Sequence, residues 1–161
     1  MMLKIVRFLS LLFTSLIAGV GFCHVLELPN KMTLPATTWL NVQQSLYRGF
    51  AIKAGSIEIG AIVSTLALLF LLRKQRMSFV WTLIASVCLV AGFVVFFSMV
   101  YPVNLLVENW TATSLPTNWT NARDRWEYGH AIHAAFFIFG LVALILAVLA
   151  DTTTDRVQHR T

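Results

Sequence analysis

Apolar residues run almost unbroken through four stretches, about Leu3–Val25, Leu46–Leu72, Met77–Val100 and Arg125–Ala150, with polar and basic residues gathered between them. Each stretch has 23 to 27 residues, and a helix needs roughly 20 to cross a hydrocarbon core. Inside a membrane the backbone must satisfy its own hydrogen bonds, which leaves helices or closed barrels. Runs this continuous do not alternate as barrel strands do. The pattern predicts an all-α fold, one domain over residues 1–161. It is an antiparallel up-down four-helix transmembrane bundle with helices at about 3–25, 46–72, 77–100 and 125–150. Arg73-Lys74-Gln75-Arg76 reads as a tight basic turn. The longer connections, Glu27–Ser45 and Tyr101–Asp124, are expected to carry short interfacial helices. Thr37-Thr38 would cap TTWLNVQQ in the first, and Asn121, with Asp124 three residues on, would open helix four. Trp110 and Trp119 have the character of interfacial anchors, so both loops read as amphipathic lids lying on the bilayer.

Composition agrees. Hydrophobic residues make up 58% of the 161 and charged residues 12%, against about 25% charged in an ordinary soluble domain. That excludes disorder and a typical water-soluble enzyme, and four spans leave no length for an added soluble domain. The net charge of +5 explains topology rather than nucleic-acid binding. Lys4, Arg7, Arg73, Lys74, Arg76, Arg156 and Arg160, with Asp151 and Asp155, fall on one side and carry all of it. Lys31, Arg48, Lys53, Arg123 and Arg125 are balanced on the other by Glu27, Glu58, Glu108, Asp124 and Glu127. By the positive-inside rule both termini face the cytoplasm of an inner-membrane protein. The first stretch also resembles a signal peptide. Polar His24 and Glu27 just beyond it look integrated with the rest, so an uncleaved helix is expected. Cys23 and Cys88 fall in different spans and are not expected to pair. The tail DTTTDRVQHRT reads as a solvated end.

Ionisable groups at membrane depth cost roughly 2.5–3.5 kcal/mol each on insertion scales and face a bundle interior with a partner. Here they collect toward one side: His24 and Glu27 on helix one, Lys53 and Glu58 on helix two, Asn104 after helix three, and Arg123, Glu127, His130 and His133 on helix four. Helical periodicity puts Tyr47, Ala51, Ala54, Glu58, Ala61 and Thr65 on one small, polar face of helix two. It puts Arg123, Glu127, His130, Ala134, Phe137 and Leu141 on one face of helix four, with Trp126 and His133 on its shoulder. Lys53 points away from Glu58 and either snorkels outward or pairs across helices.

Three readings fit this set. Glu127-x-x-His130 has the spacing that gives a carboxylate and an imidazole to one metal, with His24, Glu27, Glu58 and His133 as further ligands. Such donors suit iron, manganese or zinc, although the chain lacks the second Glu-x-x-His of a full di-iron site. A bis-histidine haem would need His24 at the depth of His130 or His133, and His24 is placed nearer the mouth. Alternatively a desolvated Glu or His acts as a general base. The structural reading has an Arg123–Glu127 ion pair, His130 and His133 bonded to neighbouring helices, and Glu58 bonded to Tyr47, a lid residue or Lys53.

The stretches FCHVLELPNKM, VQQSLYRGFAIKAGSIEI and YPVNLLVENW, with Pro102-x-Asn104 and the run Trp119-x-x-x-Arg123-x-Arg125-Trp126-Glu127-x-x-His130, resemble the anthrone oxygenase-like family of small four-helix membrane proteins. The resemblance spans nearly the whole chain. It implies oxidation of a tricyclic aromatic anthrone to an anthraquinone by molecular oxygen, without flavin or haem. His130, with Glu127 or Glu58, would then be the catalytic base that removes a benzylic proton. Arg123 would orient Glu127, and Asn104, Trp126 and Tyr47 would hold a small hydrophobic substrate arriving from the lipid. The rival from another class is a non-enzymatic membrane module that binds lipid, quinone or a partner protein. A transporter fits poorly, because one short bundle without repeats has little machinery for alternating access.

Overall fold

A computed structural model describes residues 1–158, with side chains described through Ala150. The described residues form an all-helical bundle, and four of its rods are long and apolar enough to cross a membrane. They are α1 (Met2–Lys31), α3 (Phe50–Leu71), the rod made of α4 (Arg76–Val95), a π-helical turn (Phe96–Val100) and α5 (Tyr101–Val107), and α6 (Trp119–Gln158). A short helix, α2 (Ala36–Leu46), closes one end. The chain is a multi-pass membrane protein by this architecture.

Three of the four rods outrun their predicted lengths at the α2 end. Helix one continues to Lys31 through Pro29, because a proline near a helix terminus costs only one ladder bond. The third rod carries on to Val107 by changing pitch. Tyr101 N–H bonds Phe96 O, five residues back, the pattern of a π turn. Pro102 has no N–H to offer Ser98 four residues earlier, and the Arg125 guanidinium donates to that Ser98 carbonyl instead. The short helix of the second connection is α5, which continues the third rod, and α6 starts early at Trp119, so Asn121 lies inside α6 instead of capping it. In the first connection Pro35, not Thr37 or Thr38, occupies the N-cap of α2. Helix two starts only at Phe50, after Gly49 turns the chain with a positive φ of 69° that glycine adopts without strain. α6 extends into the segment read as a solvated tail, whose last three residues lie outside the described ones.

α6 packs along α4 and α1, α1 also packs along α3, and the α3–α4 seam is the thinnest of the four. Small and hydroxylated residues line the interior: Ser10, Thr14, Ala18, Ala61, Ser64, Thr65, Thr82, Ala85 and Ser86 are buried. Several hydroxyls donate to a carbonyl one turn back, such as Ser64 to Gly60 at 2.6 Å and Thr82 to Ser78 at 2.7 Å, so they need no partner elsewhere. Phe8, Leu16, Phe70, Val87 and Phe139 point outward, the inverted surface expected where the solvent is lipid. Only α2 departs from the expectation of a lid lying on a bilayer. Its Trp39 and Leu40 are buried against Val103, Val107 and Trp126, with Trp110 and Trp119 packed around them, so α2 plugs the bundle end.

α1 comes close to the α6 backbone at Gly21. A Cβ built there would lie 2.8 Å from Ala134 Cβ and 3.0 Å from its Cα. Gly21→Ala should destabilise the protein by about 1–3 kcal/mol, lowering its thermal midpoint in detergent. Gly19→Ala, where nothing stands within 4 Å, should not. Equal midpoints for the two variants would show that this approach does not hold the bundle together.

Candidate functional site

The extended end of α1 places a residue that the sequence pattern assigned to a loop. Lys31 lies one turn beyond Glu27 and two beyond His24 on the same helical face, and it is only 6% exposed. Its ammonium meets Glu27 Oε2 at 2.7 Å and His24 Nδ1 at 3.2 Å, with Glu127 Oε2 at 4.0 Å. The rings of Tyr47 and Trp126 flank it at 4.6 and 5.0 Å, a cation–π cage. Glu27 keeps its outer side in solvent and accepts the Tyr47 hydroxyl at 2.9 Å. Tyr47 sits in the turn between α2 and α3. Burial, then the bond to Glu27, pushes its phenol well above the ordinary value, so it stays a donor.

Glu127 faces away from the cavity that the histidines share. Its Oε1 accepts Trp39 Nε1 of α2 at 3.2 Å, and its carboxylate fixes the plug to α6. The expected Arg123–Glu127 pair does not form. Arg123 pairs with Asp124 at 2.9 Å, donates to Met32 O at 2.8 Å and lies over the Trp119 ring. It therefore does not orient Glu127. Glu127 and His130, three residues apart, diverge to different partners, and among the described residues no three His, Cys, Asp or Glu side chains are grouped to hold a metal ion.

The histidines converge. His24 of α1 and His130 of α6 stack with centroids 4.1 Å apart and planes 18° from parallel. They therefore share one depth, contrary to the shallower placement expected for His24, because α1 is longer than its apolar run. Rings stacked this closely leave no gap for a haem between them. Trp126 packs edge-on against His130 at 4.2 Å, and its Nε1 donates to Asn104 Oδ1 at 2.8 Å. One turn deeper, His133 Nε2 lies 3.1 Å from Glu58 Oε1 of α3. This is the cross-helix partner of Glu58, in place of Tyr47, a lid residue or Lys53. Lys53 is exposed on the opposite side of α3. Glu58 and His133 are 4% and 6% exposed, and His133 Nδ1 has no partner among the described residues.

His24, Tyr47, Glu58, Asn104, Trp126, His130 and His133 all line one cavity of about 50 Å³, whose apolar walls are Ile17, Val20, Phe50, Ala54 and Phe96. That is room for a few water-sized molecules and too little for fused rings. A second, wider groove of about 840 Å³ runs between the start of α3 and α5, lined by Gln43, Arg48, Ile52, Tyr101, Leu105 and Trp110 among others. Tyr47, Ala51 and Asn104 border both spaces. The small chamber thus lies beside a larger groove on the thin side of the bundle, with these three residues between the two. No family model, curated protein or solved structure matches the chain.

Lys31→Met would strand the Glu127 carboxylate in the interior. Removing one partner of a buried ion pair costs about 3–5 kcal/mol, and Glu127 retains its Trp39 bond, so a loss near 3 kcal/mol is expected from denaturant unfolding in detergent. The double variant Lys31→Met/Glu127→Gln should recover part of the loss. Wild-type stability in the single variant would show that Lys31 is not the counterion.

Proposed function

We propose that the chain is an inner-membrane enzyme, with both termini cytoplasmic, that removes a proton from a small hydrophobic aromatic carbon acid and lets molecular oxygen oxidise the carbanion. The observation carrying this reading is the Glu58–His133 pair: two buried groups 3.1 Å apart that line a chamber. An ionised carboxylate only accepts hydrogen bonds. Glu58 therefore holds the proton of His133 on Nε2 and leaves a lone pair on the unpartnered Nδ1. The same carboxylate stabilises the imidazolium formed when Nδ1 takes a proton, as in carboxylate–histidine dyads of hydrolytic enzymes. The base is accordingly His133, with His130 beside it, rather than His130 working with Glu127.

The resemblance to the anthrone oxygenase-like family supports the substrate class. An anthrone and one O2 give an anthraquinone and water, a balance that requires no external reductant. The rings would lie in the groove of about 840 Å³ beside the chamber. A resident iron, manganese or zinc ion is not required by this route. The groove also favours a second reading, a module that binds quinone or lipid without turnover, because Ile52, Tyr101, Leu105 and Trp110 give it an apolar wall.

Oxygen uptake with emodin anthrone and deuterium incorporation at its benzylic carbon test the reading together. Wild type should exceed empty detergent in both, and Glu58→Gln should lower both by about a hundredfold or more. Saturable binding with no rate above empty detergent would leave the binding module.

A further inference from the structure

We infer that His24 and Asn104 form an oxyanion-binding pair, which narrows the substrate to carbon acids whose charge passes to a carbonyl oxygen. This rests on the proton-abstraction reading and adds the groups that receive the charge.

Both donors are assigned by partners that can only donate. Lysine has no acceptor, and at 2.7 Å from Glu27 Lys31 is the ammonium of an ion pair. Its contact with His24 Nδ1 at 3.2 Å makes Nδ1 the acceptor, so the ring proton sits on Nε2. Tryptophan is likewise donor-only. Its bond to Asn104 Oδ1 at 2.8 Å fixes the amide so that Nδ2 carries the free N–H donors. Among the described residues neither His24 Nε2 nor Asn104 Nδ2 has a hydrogen-bond partner, and both residues line the chamber that also holds His133.

To the chamber His133 therefore offers an acceptor nitrogen backed by a carboxylate, and His24 and Asn104 each offer a donor nitrogen, the first backed by a cation, with the His130 imidazole beside them. Removal of a C–H proton by His133 Nδ1 moves the electron pair of that bond into the conjugated system and places negative charge on the carbonyl oxygen. N–H groups held in advance at that oxygen stabilise the transition state without reorganising. Lys31 strengthens one of them, because a cation on Nδ1 polarises the ring toward donation from Nε2. His24, which the sequence pattern offered as a metal ligand, becomes a catalytic donor. Asn104, expected to hold the substrate, becomes a catalytic residue, and Lys31 and Trp126 are positioning residues.

A phenol that binds as its anion reads this pair without any turnover. The full chain in detergent is titrated with 2-naphthol, whose neutral and ionised forms differ in absorbance. Bound to wild type it should ionise at least one pH unit lower than in empty micelles, a tenfold preference for the anion. His24→Phe keeps a ring to stack on His130 but has no donor, and Asn104→Asp keeps the acceptor for Trp126 while replacing the amide. Each should remove most of the shift. Lys31→Gln should remove part of it, and Lys53→Gln, on the exposed face of α3, none. Variants are compared after eluting as single species, so that unfolding is not read as lost binding. Wild-type ionisation equal to that in empty micelles, or an undiminished shift in both chamber variants, overturns the inference. If the shift follows this pattern while wild type exchanges no benzylic proton, the oxyanion pair stands and the oxygenase reading falls.

Discussion

A lysine ammonium kept out of water must find its partners in the protein, and Lys31 finds them on three elements at once. Its carboxylate Glu27 and imidazole His24 lie on its own helix, its aromatic cage comes from Tyr47 and Trp126, and Glu127 approaches from α6. Removing Lys31 would leave the buried Glu127 carboxylate without its nearest cation. The plug helix α2 depends on the same cluster, since its Trp39 is held by Glu127. Much of the geometry at this end follows from neutralising one buried cation.

The consequence for chemistry is that proton positions are set before a ligand arrives. Lys31 and Trp126 can only donate, so His24 Nδ1 and Asn104 Oδ1 accept those bonds, and His24 Nε2 and Asn104 Nδ2 carry the remaining N–H groups. Such preorganisation is costly to build and difficult to vary. It suits a site that must tell a neutral molecule from its anion more than one that merely accommodates a hydrophobic body.

The bundle is not equally tight on all sides. α1 and α6 meet through Gly21 and Ala134 at backbone distance, while the seam between α3 and the third rod is thin and opens into the groove. The π turn at Phe96–Val100 and Pro102 lie in that rod, and Arg125 of α6 takes the carbonyl that proline leaves free. The rod is thus tied to α6 at the level where its other flank borders the opening. The chamber lies beside the loosest seam, while His24, His130 and His133 sit on α1 and α6, which pack closely against each other.

Four helices, their antiparallel order and the inward faces of helices two and four were legible in the chain, because apolar length and helical period are local properties that lipid enforces strictly. Glu58, Ala61 and Thr65, and likewise His133, Ala134 and Phe137, are buried as that period requires. Helix ends were not legible, since Pro29 and Pro102 look like terminators and here lie within continuing rods. The site depends on those ends: Lys31 lies beyond the apolar run, although its spacing from His24 and Glu27 marks one helical face. Which partner each polar group takes was beyond local reading altogether. Arg123 lies four residues from Glu127 and bonds elsewhere, while Glu58 and His133, 75 residues apart, are a pair. Residue types and periods determine that these groups turn inward. Only the packing of separate helices, where a shift of one turn exchanges one neighbour for another, decides which of them meet.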